Sequence, residues 1–373
     1  MVPPASVFLR AGAYRVTGRS PSQALSLSKQ TVRRARSLAT IAALRPVPDR
    51  IRTLRQSHSY LKQVRHSYAT TTNPNPPLGK SNASNDQPSR IGLIGGRGYT
   101  GQAMVDLFEA HPYMDPRYVS SRELAGQNLE GYTKRKLVYE HLSPEEAAQL
   151  EESGEVDCWV MALPNGVGKR YVEAIDQVKK SDGKQSLIVD LSADYRLNDS
   201  WTYGLPELTS RSEVGSAKRI STPGCYATAA ELGITPLLEH LGGEPVIFAV
   251  SGHSGAGTKP SPRNDVKLLE DNLIPYSLTG HTQEQEISHR LGTSISFIPH
   301  VASWFRGIHL TINIPLNKKI SSRDIRQIYQ DRYAGEKLVK VVGEAPHVKA
   351  VSSAHHCEIG GFAVDSSGKR VVV

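Results

Sequence analysis

Apolar residues alternate through "IGLIG" at residues 91–95, the two-residue period of a short buried strand. The spacing turns helical in "YTGQAMVDLFEAH", which predicts a helix with Met104, Leu107 and Phe108 on one face. "VDCWVMALPNG" and "SLIVDLSADYR" read as further buried strands ending in loops, and Cys158 falls inside the first run, where packing is its expected role. "YATAAELGITPLLEHL" places Ile234, Leu237, Leu238 and Leu241 at helical spacing. "FAVSGHSGAGTKPS" reads as a strand entering a Ser/Gly loop. "FIPHVASWFRGIHLTINIPL" reads as two strands with Arg306 at the bend between them. No internal repeat interrupts this succession, whose alternation of strands and helices predicts an α/β fold.

The first 90 residues follow another rule. They contain no Glu, are rich in Arg, Ser and Ala, and set arginines beside apolar residues in stretches such as "QTVRRARSLATIAALR". A Pro/Asn/Ser-rich linker, "TTTNPNPPLGKSNASNDQPS", follows. That composition is expected of a mitochondrial transit peptide and disordered linker over residues 1–88, with processing near "RHSYATTT". Charge sharpens the division. Of the net +9 carried by 373 residues, residues 1–80 hold +13 and residues 81–373 hold −4. A basic leader on a slightly acidic body is not a nucleic-acid footprint, which needs a basic face on the folded domain. No apolar run approaches the roughly 18 residues of a membrane span. Three scattered cysteines exclude a disulfide framework.

Between the first strand and helix lies Gly95-x-x-Gly98-x-x-Gly101, with Arg97, Tyr99 and Thr100 between its glycines. Such a loop lets the backbone approach a pyrophosphate seated on the helix N-terminus. About twenty residues on, where an acidic residue would select NAD, the chain carries Ser120, Ser121 and Arg122. Their donors and positive charge fit a 2′-phosphate, so NADP (NADPH) is the expected cofactor. Pro164, Asn165 and Gly166 follow a strand and are expected to line the same crevice.

Cys225 stands after Pro223-Gly224 at the head of a predicted helix. There the helix dipole is expected to lower its pKa and favour the thiolate. A small packing residue at a tight turn is the other reading, and the surrounding motifs favour a nucleophile. The Ser254–Gly257 loop offers backbone N–H groups to an anion, with Lys259 nearby. In "GHTQEQEI", His281 can shuttle a proton five residues before Glu286. "SAHHCEIGG" looks like a metal cluster, but strand alternation keeps His355, His356 and Cys357 from converging, so no metal is expected.

The set "GGRGYTGQ", "SSRELAG", "ALPNG", "VDLSADYR", "PGCYAT", "SGHSGAG", "GHTQEQEI" and "FIPHVASWFRGIHLT" closely resembles N-acetyl-γ-glutamyl-phosphate reductase of arginine biosynthesis, in its fungal mitochondrial form, over residues 90–373. The resemblance implies a fold of the semialdehyde-dehydrogenase type: a Rossmann-type NADP-binding domain at 89–224 and a catalytic and dimerisation α+β domain at 225–373. It implies NADPH-dependent reduction of N-acetyl-γ-glutamyl phosphate through a Cys225 thioester, with His281 moving the proton. NADP is expected at Gly95, Arg97, Gly98, Tyr99, Thr100, Gly101, Ser120, Ser121, Arg122, Pro164, Ser254 and Gly255, and substrate at Gln283, Glu286 and Arg306. Many relatives carry a second histidine at the position of Gln283. The family also implies a homo-oligomer in the mitochondrial matrix and, through its kinase–reductase precursors, association with acetylglutamate kinase. Relatives continue beyond a strand like "GKRVVV", so the second domain is expected to lack a last segment and to leave its apolar terminus unpaired. Aspartate-semialdehyde dehydrogenase and an inactive NADP-binding remnant are the alternatives.

Overall fold

The computed structural model describes residues 87–179, 183–352 and 354–373, and the expected leader lies outside them. The first sheet has six parallel strands: β1 (Ser89–Ile94), β2 (Met114–Ser120), β3 (Cys158–Met161), β4 (Leu187–Asp190), β5 (Thr202–Tyr203) and β6 (Arg219–Ser221). Their order is β2-β1-β3-β4-β6-β5. Strand alternation sends Ile91, Leu93 and Val160 to one face, and Ile94, Trp159 and Met161 to the other. Both faces are covered, as a parallel sheet requires. On the first lies α1 (Tyr99–Ala110) with Val105 and Phe108; on the second lie α2 (Pro144–Glu152) and α3 (Lys169–Asp176) with Ala147, Val172 and Ile175. The helix register differs from the expected one. Gly101, Val105 and Phe108 are its buried residues, while Leu107 is 45% exposed. Gly101 fixes that rotation, because its missing side chain lets α1 press against the loop before it.

The second sheet is mixed: β7 (Val246–Gly252), β8 (Leu273–Pro275), β9 (Ser296–Ala302), β10 (Ile308–Pro315), β13 (Ala363–Val364) and β14 (Arg370–Val372), in the order β13-β14-β10-β7-β9-β8. Between them in the chain, β11 (Val339–Val341) and β12 (Cys357–Ile359) form a parallel ribbon. One face of the large sheet packs under α4 (Cys225–Ile234), α5 (Thr282–Leu291) and α6 (Ser322–Arg332). Tyr226, Ala230, Ile234, Ile247, Phe297, Ile312 and Tyr329 are buried in that core. α4 continues into a 3₁₀ turn, Thr235–His240, because Pro236 has no N–H to extend the α-helical ladder. Leu237 is still buried after the change of winding.

The C-terminal strand corrects one expectation. β14 pairs with both β10 and β13. Val373 and Ile312 exchange two backbone hydrogen bonds of 2.8 and 3.0 Å. Val371 is fully buried, so the apolar terminus is stitched into the sheet rather than left as an open edge.

Candidate active site

The β2-β1-β3 order reverses the direction of winding between β1 and β3, which opens a crevice at the carboxyl ends of these strands. The glycine loop lies there. Gly95 has φ +94°, and a Cβ on it would lie 2.2 Å from the Ala162 carbonyl oxygen. A Cβ on Gly101 would lie 2.4 Å from the Gly95 oxygen, so only glycine lets the helix close on its own loop. Gly98 is the N-cap of the twelve-residue α1 and supplies no side-chain cap. The helix's first N–H groups therefore face an open cradle that suits a pyrophosphate.

The expected ribose-side residues divide in two. Arg122 is exposed at the end of β2, free to meet a phosphate. Ser120 and Ser121 are buried: Ser120 Oγ accepts from Leu142 N at 3.1 Å, and Ser121 Oγ from Leu124 N at 3.3 Å. Their hydroxyls brace the turn at the end of β2. Arg97 pairs with Glu123 at 2.6 Å on the surface. Thr100 and Pro164 are exposed beside the crevice. The Tyr99 ring meets Phe305 edge-on at 5.3 Å, and Phe305 meets His253 at 5.4 Å. Ser254 N donates to Phe305 O at 2.9 Å, so the exposed Gly255 and its loop are drawn toward the glycine loop.

Cys225 opens α4 behind an N-cap glycine that gives no side-chain cap. It is solvent-exposed and lines a cavity of about 510 Å³ that also touches Thr228, His309, Leu310 and Cys357. Gln283 holds the helix end: its Oε1 accepts from Tyr226 N at 2.8 Å and from Ala227 N at 3.0 Å. Its Nε2 donates toward Cys225 Sγ at 3.7 Å. The dipole expectation needs correction here. Desolvation by the surrounding protein pushes the thiol up despite the lowering pull of Gln283, the helix N–H groups and Arg196. Cys158 and Cys357 lack comparable help, and burial pushes them up to about 12 and about 11.

His281 is the N-cap of α5, and its Nδ1 accepts from Gln283 N at 3.2 Å. That bond assigns the neutral tautomer, with the hydrogen on Nε2. Burial, and then Arg263, hold its pKa below the ordinary histidine value. Its ring lies 6.2 Å from Tyr226, 5.7 Å from Tyr276 and 5.2 Å from Phe297.

Glu286 and Gln283, both expected at the substrate, lie on α5 and bond to the backbone at the head of α4. Glu286 is 2% exposed. Its Oε1 accepts from Gly224 N at 2.7 Å, and its Oε2 pairs with Arg196 Nη1 at 3.0 Å. Gln283 has spent its oxygen on α4. Arg306 is exposed at the β9–β10 bend, its guanidinium 5.1 Å from the Phe305 ring.

Sequence reasoning missed Arg196, Tyr203, Arg263 and Tyr276. Arg196 ends the quoted "SADYR", yet its partners are set by the meeting of two sheets: Thr222 O at 2.9 Å, besides Glu286. Arg263 lies 4.9 Å over the Tyr276 ring and depresses His281, which puts a second cation beside the histidine. Among the described residues, no group of three or more His, Cys, Asp or Glu could hold a metal ion, and no helix is long and apolar enough to cross a membrane.

Two family models match: semialdehyde dehydrogenase, NAD binding domain, over residues 90–217, and semialdehyde dehydrogenase, dimerisation domain, over residues 225–373. The chain is 64% identical over 309 residues to "Protein arg-6, mitochondrial" of Neurospora crassa, covering 83% of this chain and 36% of that protein. It thus spans about a third of the length of the curated fungal relatives it matches. It is 47% identical over 291 residues to the N-acetyl-gamma-glutamyl-phosphate reductase of Xanthomonas campestris pv. campestris, covering 77% of this chain and 89% of the bacterial protein. Aspartate semialdehyde dehydrogenase II from Vibrio cholerae, solved with ASA, superposes with a TM-score of 0.61 at 14% identity, covering 77% of this chain and 91% of that one.

Proposed function

Because the chain belongs to the N-acetyl-γ-glutamyl-phosphate reductase family of semialdehyde dehydrogenases, we propose that it reduces N-acetyl-γ-glutamyl phosphate to N-acetylglutamate semialdehyde and phosphate, in mitochondria. The observation that carries this reading is exposed Cys225 at the N-terminus of α4, held by Gln283 at the edge of a cavity. The mitochondrial fungal relatives support the compartment. The matrix is the finer reading.

The chain's own residues account for the acyl-transfer half of the chemistry. Cys225 Sγ bonds to the γ-carbonyl carbon while the carbon–oxygen bond to phosphate breaks, leaving a thioester and free phosphate. The raised thiol pKa makes deprotonation part of this step, and the departing phosphate can take the proton. His281 Nε2–H donates to the carbonyl oxygen as it gains charge. Arg263 and Arg306 supply cations for the substrate's carboxylate and phosphate. NADPH, when bound, supplies the hydride that reduces the thioester. The α1 N-terminus, Arg122 and the exposed Gly255 loop form its cradle, with room at Gly98 where a Cβ would meet nothing closer than 3.9 Å. When the reduced adduct breaks its C–S bond, the electron pair returns to sulfur and the alkoxide becomes the aldehyde.

The dimerisation-domain match supports self-association. The outer face of the second sheet suits it, since Phe248 is 39% exposed there beside His300. Association with acetylglutamate kinase is an extension of this reading, drawn from the length of the fungal relatives.

The reverse reaction tests the substrate. Purified chain should reduce NADP⁺ with N-acetylglutamate semialdehyde only when phosphate is present, and turn over aspartate semialdehyde at least a hundredfold more slowly. Preference for aspartate semialdehyde would sink the assignment in favour of the dehydrogenase that shares this fold.

A further inference from the structure

Behind Cys225, three buried acidic groups meet with too few hydrogens. Tyr203 Oη lies 2.8 Å from Glu231 Oε1 and 2.8 Å from Glu286 Oε1. All three side chains are buried. A phenol has one hydrogen and a carboxylate has none, so two such bonds at one oxygen require a second hydrogen on a carboxyl group. Glu286 meets only donors on its other sides: Arg196 pairs with it and Gly224 N–H points at it. Glu231 has no cation within bonding distance, and Tyr203 is its one hydrogen-bond partner among the described residues.

We propose that Glu231 carries a proton in the resting protein and donates it to Tyr203, which donates to Glu286, so that a one-way chain ends on the carboxylate that also accepts from Gly224 N–H and thereby positions Cys225. Glu231, Tyr203 and Glu286 are thus positioning residues. They act on the sulfur through the turn that precedes it. The groups facing Glu231 are Tyr203 from β5, Glu286 and Arg290 from α5, and Arg196 from the loop after β4. Burial dominates among their effects and pushes Glu231 up to about 8. Arg290 lies 3.8 Å over the Tyr203 ring, and its buried Nε has no hydrogen-bond partner, so it adds positive potential without competing for the chain's hydrogens. Above that pH, two carboxylates face one phenolic hydrogen, and the bond holding Gly224 loosens.

The inference rests on the proposed reaction only for the importance of Cys225, and its test needs no substrate. Infrared spectra of the intact chain in D₂O at pH 7 should show a protonated-carboxyl carbonyl band that fades around pH 8. Glu231→Gln should remove it. Tyr203→Phe, which keeps both carboxyl groups, should shift its frequency and pH midpoint. In urea, the unfolding constants of the unsubstituted chain and Glu231→Gln should diverge about tenfold per pH unit between pH 5 and 8, with the Gln form gaining as pH rises. A band that survives in Glu231→Gln, is unchanged in Tyr203→Phe, or is absent at pH 7 overturns the proposal. If Glu231→Gln does not fold, the titration of the unsubstituted chain and the Tyr203→Phe spectrum decide it.

Discussion

At Cys225 the two usual ways of activating a thiol pull against each other. The helix N-terminus favours the thiolate, but Gln283 already occupies the N–H groups of Tyr226 and Ala227, and desolvation by the surrounding protein raises the thiol pKa. The sulfur is held in place more than it is ionised. His281 is likewise fixed by the backbone, because its Nδ1 caps α5, which leaves Nε2 for the proposed proton transfer. His281→Asn separates the two roles. Asn is a strong N-cap, so thermal stability should change little at neutral pH, while kcat falls about 10²–10⁴-fold. The His281 pKa is held below its unfolded value, so the neutral ring stabilises the fold above about pH 6.5, the unperturbed histidine value. That contribution is lost as pH falls through the lowered folded pKa. Unfolding curves of the unsubstituted chain should therefore steepen with acid more than those of His281→Asn. The place of Cys225 at the head of a helix was legible in the sequence from Pro223-Gly224 before it. The role of Gln283 was not legible, because the N–H groups it caps lie 56 and 57 residues earlier in the chain.

Among the elements, α1 and its loop show how much a glycine pattern can carry. The order of strand, glycine turn and helix could be read from residues 91–110, whereas the helical spacing carried through Leu241 hid the change of winding at Pro236. Nor could the buried face of α1 be read. Its rotation depends on Gly101 touching the Gly95 and Gly96 backbone, and that contact pushes Leu107 outward in place of Val105. Gly101→Val places branched carbon where the backbone leaves no space. It should destabilise the chain by about 1–3 kcal/mol and weaken NADPH binding at least tenfold, measurable by fluorescence titration. Equal binding would mean that the loop can open without losing the cradle. The Ser120–Arg122 turn shows the opposite limit: three polar residues read alike in sequence, but the strand end buries two and exposes one.

Across the molecule, the two sheets are joined where chemistry needs precision. Arg196 reaches from the first sheet's loops to Glu286 on α5, 90 residues away in sequence, and fixes Thr222 before the cysteine turn. Tyr99 and Phe305 join the glycine loop to the β9–β10 bend. Such contacts have no local sequence signal, since each partner belongs to a different sheet. Arg196→Leu should leave Glu286 buried without its cation, at a cost of about 3–5 kcal/mol. It should also slow Cys225 alkylation by misplacing the turn. Chemical denaturation and iodoacetamide kinetics would detect both effects, and a stable, normally reactive Arg196→Leu would show that the ion pair does not order the site.

The central claim is that Cys225 becomes acylated. The most direct measurement mixes the chain with N-acetyl-γ-glutamyl phosphate in the absence of nicotinamide, quenches in acid, and measures released phosphate and intact mass. One equivalent of phosphate per chain should appear with one N-acetylglutamyl adduct, mapped to the peptide carrying Cys225 and absent from Cys225→Ser. Phosphate release without an adduct, or an adduct on another residue, would contradict the account.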